Sequence, residues 1–258
     1  MTPFSPPTIT AHHFASAPTL DDPRWAQTPE TDLTLNRTQI ESGAAIHEPG
    51  RFQLAYDNIA IYLRLSLIDH DLTATAQNDQ DNLYQTGDVA EWFIGTPPPP
   101  PPDTPEASDT PEAPDVPANL APPLPGDYLE LHAAPHGVRS AYRILRPGQV
   151  LDFDPQSFQV RVAAHGTLND PTDRDRGWDV LFTLPWTTLQ RLDPGLAADQ
   201  DLTGKLTLLV GRYNYGHHLP YRPDGAGRPE LTMWPTQPKT AFHLRPLHAP
   251  LVFQAPGP

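Results

Sequence analysis

GDVAEWFI (residues 87–94) and GDYLELHAAPHG (residues 126–137) decide the fold class of this chain, because of what lies between them. PPPPPPDTPEASDTPEAPDVPANLAPPLP (residues 97–125) has six consecutive prolines, scattered acids and no Lys or Arg. Such a segment donates few backbone hydrogen bonds and buries little apolar surface, which predicts a disordered insertion over residues 95–125. Both flanks are rich in β-formers and read as half-buried strands. Strands that still find each other across this tether must route it over the surface. The reading is a β-domain with a surface insertion.

The rest of the chain keeps the same period. Residues 51–57 and 59–68 read as a hairpin turning at Asp57 and Asn58. In its second arm Ile59, Ile61, Leu63, Leu65 and Leu67 face one side, and Tyr62, Arg64 and Ser66 the other. Further strands are expected over residues 140–145, 158–164, 178–184, 206–213 and 250–253, with a short extended piece at 32–35. Pro185 suits the first position of a single helical turn over 185–189. Residues 69–81 are polar and read as a loop. About ten strands with turns between them imply an all-β, two-sheet antiparallel β-sandwich of jelly-roll type. It is expected to span residues 20–254 as one domain, after a flexible segment over residues 1–19.

Composition narrows the function classes. Thirty-five prolines against sixteen glycines argue against helices as the main element. The net charge of −14 disfavours a phosphate backbone, so nucleic acid is not an expected partner. With no cysteine there is no disulfide framework, thiolate metal site or cysteine nucleophile. No run approaches the roughly 20 apolar residues that span a bilayer. The first residues lack the basic and apolar regions of a signal peptide, so a soluble, cytoplasmic protein is the expectation.

LDDPRW (residues 20–25), FQLAYDNIAIYLRLSLID (52–69) and D-x-x-E-x-F (Asp88, Glu91, Phe93) resemble the family 9 carbohydrate-binding modules. YLELHAAPHG (128–137), GWDVLFTLPWTTL (177–189), the R-x-N of Arg212 and Asn214, TMWP (232–235) and AFHLRP (241–246) continue the resemblance in order. It implies a β-sandwich that binds a mono- or oligosaccharide without catalysis. Two aromatic side chains would clamp a pyranose ring while polar groups read its hydroxyls. The carboxylate would be Glu91, the first clamp would fall at Tyr84, and the second at Trp234. The cationic residue of some members falls on Leu129 here. Some members also carry structural calcium.

Each candidate has a plainer reading. Glu91 shares a face with Val89 and Phe93, so it is either a ligand carboxylate or half of a salt bridge. Arg212 and Asn214 share a strand face, where both suit a sugar hydroxyl and Arg212 equally suits a buried ion pair. Trp25, Trp92, Trp178 and Trp186 read as core, whereas Trp234 stands among turn-forming residues. Asp69/Asp71 with Asp79/Asp81, and Asp170, Asp173, Asp175 and Asp179, leave calcium open without EF-hand spacing. Three other functions stay open. A hydrolase would use Glu91 and Glu130 as its carboxylate pair. An interaction module would retain only a decayed sugar site, and the proline-rich insertion could dock a protein partner. A haem-binding sandwich would use Met233 and Lys239.

Overall fold

In a computed structural model that describes residues 5–98, 126–146, 149–216 and 229–255, strands dominate the chain. First come β1 (Ile9–His13), β2 (Thr31–Asp32), α1 (Arg37–Glu41), β3 (Gly50–Tyr56) and β4 (Ala60–Leu67). Next are β5 (Val89–Gly95), β6 (Tyr128–Ala133), β7 (Arg139–Arg146), β8 (Gln149–Asp152) and β9 (Gln159–Ala164). Last are β10 (Trp178–Pro185), α2 (Trp186–Leu189), β11 (Thr207–Asn214), β12 (Glu230–Trp234) and β13 (Ala249–Phe253). Among the described residues no helix is long and apolar enough to cross a membrane.

The hairpin forms where the alternation places it. Asp57 stops β3 and shapes the turn: its Oδ1 accepts from the N–H groups of Ile59 and Ala60 at 2.7 and 2.9 Å. Its Oδ2 accepts from the Tyr62 hydroxyl at 2.9 Å, tying the turn to β4. Ile61, Leu63, Leu65 and Leu67 enter the main core, while Tyr62 packs with Phe14 and Trp25 on the opposite face. Ile59, the first residue of the expected stripe, sits in the turn and is 63% exposed.

The all-β expectation is met, but hydrogen bonding runs through one curled sheet instead of two separate ones. The order is β8-β7-β6-β5-β11-β13-β1-β3-β4-β10-β9, with β12 added to β11 and β2 to β3. The cause is β1. Its Ile9, Thr10 and Ala11 pair in parallel with Leu251, Val252 and Phe253 of β13. Its His12 and His13 then pair with Ala55 and Tyr56 of β3. Residues 9–13, expected in a flexible lead, are therefore the seam that leaves no free edge between the halves.

The two halves face each other across one apolar core. Trp92 of β5, Leu131 of β6 and Val210 of β11 meet Leu63 of β4 and Val180 and Phe182 of β10. The Trp92 and Phe182 rings pack edge to face, 6.1 Å between centroids. β5 and β6 are antiparallel neighbours from Gly95/Tyr128 to Ala90/Ala133, so the flanks of the proline-rich segment do pair. That expected disordered insertion has its residues 99–125 outside the described residues. Gly95 still belongs to β5, and the Thr96 N–H donates to the Asp127 carbonyl at 3.2 Å.

The exposure contrast along β4 sets a stability test. Leu63→Ala empties a site of 0% exposure and is expected to lower unfolding free energy by about 2–5 kcal/mol in urea titration. Ile59→Ala, a change at the turn, is expected to stay within about 0.5 kcal/mol. Equal losses would contradict this inward face.

Candidate functional site

Alternation along β5 splits its side chains between two buried faces. Ala90, Trp92 and Ile94 point into the main core, so Val89, Glu91 and Phe93 point outward. Register then decides what meets them. Glu91 lies opposite His132 of β6 and Gly211 of β11, and Phe93 lies opposite Glu130 and Leu209. Phe93 and Leu209 pack with Met233 and Phe242 as a smaller cluster on this outer face. Gly211 leaves room for the carboxylate. A β-carbon there would stand 3.2 Å from Glu91 Oε2 and 3.1 Å from the Phe242 ring.

Three ionisable groups thus converge beside a cleft of about 310 Å³. His132 Nε2 lies 2.9 Å from Glu130 Oε1 and 3.3 Å from Glu91 Oε1. Glu91, Glu130 and His132 are 2%, 8% and 1% exposed, so Glu130 is the nearest to solvent. Glu130 Oε2 is 3.8 Å from His243 Nδ1, which also lies 2.8 Å from the Tyr128 hydroxyl. Glu91 Oε2 and His132 Nδ1 have no hydrogen-bond partner among the described residues. Burial pushes the Glu91 carboxyl up to about 8, with His132 opposing the shift and Glu130 adding to it. Burial works against a charged His132, but Glu91 and Glu130 outweigh it and raise its pKa. The cluster therefore retains protons that the same groups would release in water.

Aromatic rings form the walls. Tyr84, Tyr142, Tyr213 and Phe242 line the cleft with the three ionisable groups. Tyr84 is 36% exposed, and its ring centroid lies 6.0 Å from that of Tyr213 at a 50° tilt. Its backbone is held from below: the Tyr215 hydroxyl donates to the Tyr84 carbonyl at 2.6 Å. The Tyr142 ring packs edge-on against His132, 5.6 Å between centroids.

Of the five residues expected at a site, the structure brings Tyr84 and Glu91 together and places the other three on the inner side of the sheet. Arg212 is fully buried opposite Ala90, where it donates to the carbonyls of Glu48 and Ile68. It also pairs with Asp69 at 3.1 Å and donates to Asn214 Oδ1 at 2.8 Å, so its ion pair is with Asp69 and not with Glu91. Burial raises Asp69 to about 6 against the pull of Arg212. Asn214 in turn donates to Glu48 Oε2 at 2.7 Å. Trp234 is the last residue of β12, not part of a turn. It pairs with Val210 and lays its ring 5.6 Å from Phe52. The opposite face of the same ladder carries Glu91.

The remaining expectations also find places. In the acidic loops, Asp81 caps the N–H groups of Gln77 and Asn78, and Asp79 pairs with Arg139. Asp170 caps Thr172, Asp175 accepts from Leu72 and Thr167, and Asp179 accepts from Ser66. Among the described residues, the group of three metal-capable donors lying within 4.8 Å of one another is Glu91, Glu130 and His132. Met233 is buried in the outer apolar cluster, whereas Lys239 is exposed. His132, Tyr142, Tyr213, Phe242 and His243 were not anticipated as site residues. For His132 a signal exists in E-L-H, which puts Glu130 and His132 on one strand face.

The fold has solved counterparts. A protein of Bacteroides uniformis assigned as carbohydrate-binding matches 97% of this chain and 100% of its own, with a TM-score of 0.61 at 12% identity. A family 9 carbohydrate-binding module of Caldicellulosiruptor kristjanssonii in complex with cellotriose matches 96% of this chain and 95% of its own, with a TM-score of 0.54 at 11% identity. The same kind of module in complex with glucose matches 96% and 97%, with a TM-score of 0.55 at 12% identity. The chain therefore carries a family 9 carbohydrate-binding-module-like fold. No family model matches it, and no curated protein matches it in sequence.

The raised Glu91 has a pH signature in metal-free protein. A carboxyl whose folded pKa lies above its unfolded value of 4.5 stabilises the fold fully below 4.5 and loses that contribution as pH rises to about 8. Denaturant titrations are expected to show stability falling across that window, by at most about 1.4 kcal/mol per pH unit for this group. Glu91→Gln is expected to flatten the decline; an unchanged slope would contradict the assignment.

Proposed function

We propose that the outer-face cleft binds a neutral carbohydrate without catalysis, as a single mono- or oligosaccharide subsite. One observation carries this: a half-exposed tyrosine faces buried carboxylate and imidazole groups with unpartnered atoms, within a fold shared by modules holding cellotriose and glucose. Tyr84 offers an aromatic face to the apolar side of a pyranose ring, with Tyr213 beside it. Glu130 and His132 exchange hydrogen bonds with hydroxyls, and Glu91, protonated by burial, supports them. On this reading the facing halves of the curled sheet are the two layers of a jelly-roll sandwich, and the second clamping ring is not Trp234.

A hydrolase has a narrower basis. Glu91 and Glu130 are close, and a carboxyl raised to about 8 suits a general acid. His132 stands between them, however, and Glu91 is 2% exposed, so a glycosidic oxygen would have to reach past the imidazole. Binding is the function that this geometry supports best.

Calorimetry with glucose and cellotriose tests it. Saturable heat is expected for the wild type, with Tyr84→Ala weakening binding about tenfold, the loss of roughly 1.4 kcal/mol of stacking. Trp234→Ala is expected to leave affinity within about twofold in protein that remains folded. Unchanged binding in Tyr84→Ala would remove the proposed subsite.

A further inference from the structure

We propose that Glu91, Glu130 and His132 form a site for one divalent transition-metal ion of the zinc class, open to the cleft on its Glu130 side. Nothing in this assignment requires the cleft to take a sugar.

Convergence is the first support. Both carboxylates approach the same atom, His132 Nε2, at 2.9 and 3.3 Å, and all three donor atoms lie within 4.8 Å of one another. Tetrahedral zinc with bonds of about 2.0–2.1 Å separates neighbouring ligand atoms by roughly 3.3 Å. Two of the separations are already near that spacing, so a cation replacing the Nε2 proton would meet both oxygens after small side-chain shifts.

Electrostatics is the second. Two carboxylates on residues only 2% and 8% exposed are costly without compensating charge. The buried Glu91 Oε2 has no hydrogen-bond partner among the described residues. A dication neutralises both carboxylates at once.

Donor chemistry selects the ion. One imidazole and two carboxylates suit zinc and its neighbours, whereas calcium requires six to eight oxygens that these residues do not supply. Three protein ligands beside a cleft leave a coordination position for water or another oxygen ligand. Among the described residues His132 Nδ1 has no carboxylate or carbonyl behind it, and the ring packs against Tyr142.

The full chain, stripped with EDTA and titrated with ZnCl2 by calorimetry, is expected to take one ion per chain at this site. Glu91→Gln and His132→Gln are each expected to weaken that binding by on the order of a hundredfold, the upper range seen when supporting groups are lost. Tyr84→Ala is expected to leave it unchanged, which separates cation binding from any sugar result. Equal zinc affinity in both ligand variants, or no saturable binding in the wild type, would overturn the site. If either variant fails to fold by circular dichroism, Co²⁺ added to the wild type decides by NMR. Broadening of the His132 ring resonances ahead of those of His12, His13 and His165 is expected; broadening of those three alone would overturn the proposal.

Discussion

The fixed register of β6, β5 and β11 is the constraint on which the rest of this structure depends. Glu91 pairs with His132 and Gly211, Trp92 with Leu131 and Val210, and Phe93 with Glu130 and Leu209. A shift of one residue would carry Glu91 into the main core and Trp92 out of it. Both faces of β5 are covered, so a slip has no solvent-exposed side to relieve it.

Each face then handles charge by a different device. Inside, Arg212 is neutralised by Asp69 and ringed by the carbonyls of Glu48 and Ile68 and the amide of Asn214. That network pins the residue 48 and 68 segments to β11, closing one end of the core. Outside, among the described residues, no Arg or Lys pairs with the Glu91 cluster; His132 stands between two carboxylates. The inner network is buried and structural, with the Arg212 Nε alone of its side-chain atoms left without a hydrogen-bond partner among the described residues. The outer one keeps an unpartnered oxygen beside a cleft, which is the condition in which a buried polar group is available to a ligand.

Much of the fold was legible from local pattern. The period of two over residues 59–68, the tryptophan and phenylalanine stripe at 178–184, and Pro185 before α2 each report on their own segment. β1 escaped notice because five residues, ITAHH, give too short an alternation, and its role comes from pairing on both edges. β8 and β12 are similarly short. The site was legible only in part, for the same reason. Glu91 stands out as a carboxylate in an apolar strand, but its meeting with His132 needs the register across a proline-rich gap. Trp234 looked like a loop aromatic because TMWP ends in proline; its face is set by pairing with Val210, which no single strand reveals. Arg212 and Asn214 were rightly placed on a common face, but that face is the inner one.

The measurement that tests the central claim most directly is an NMR titration of the isotopically labelled full chain with glucose. The account predicts saturable shifts of the Tyr84, Glu91, His132 and Tyr213 amides, with those of Trp234 and Phe52 unmoved. Shifts centred on Trp234, with the cleft residues silent at saturation, would contradict it.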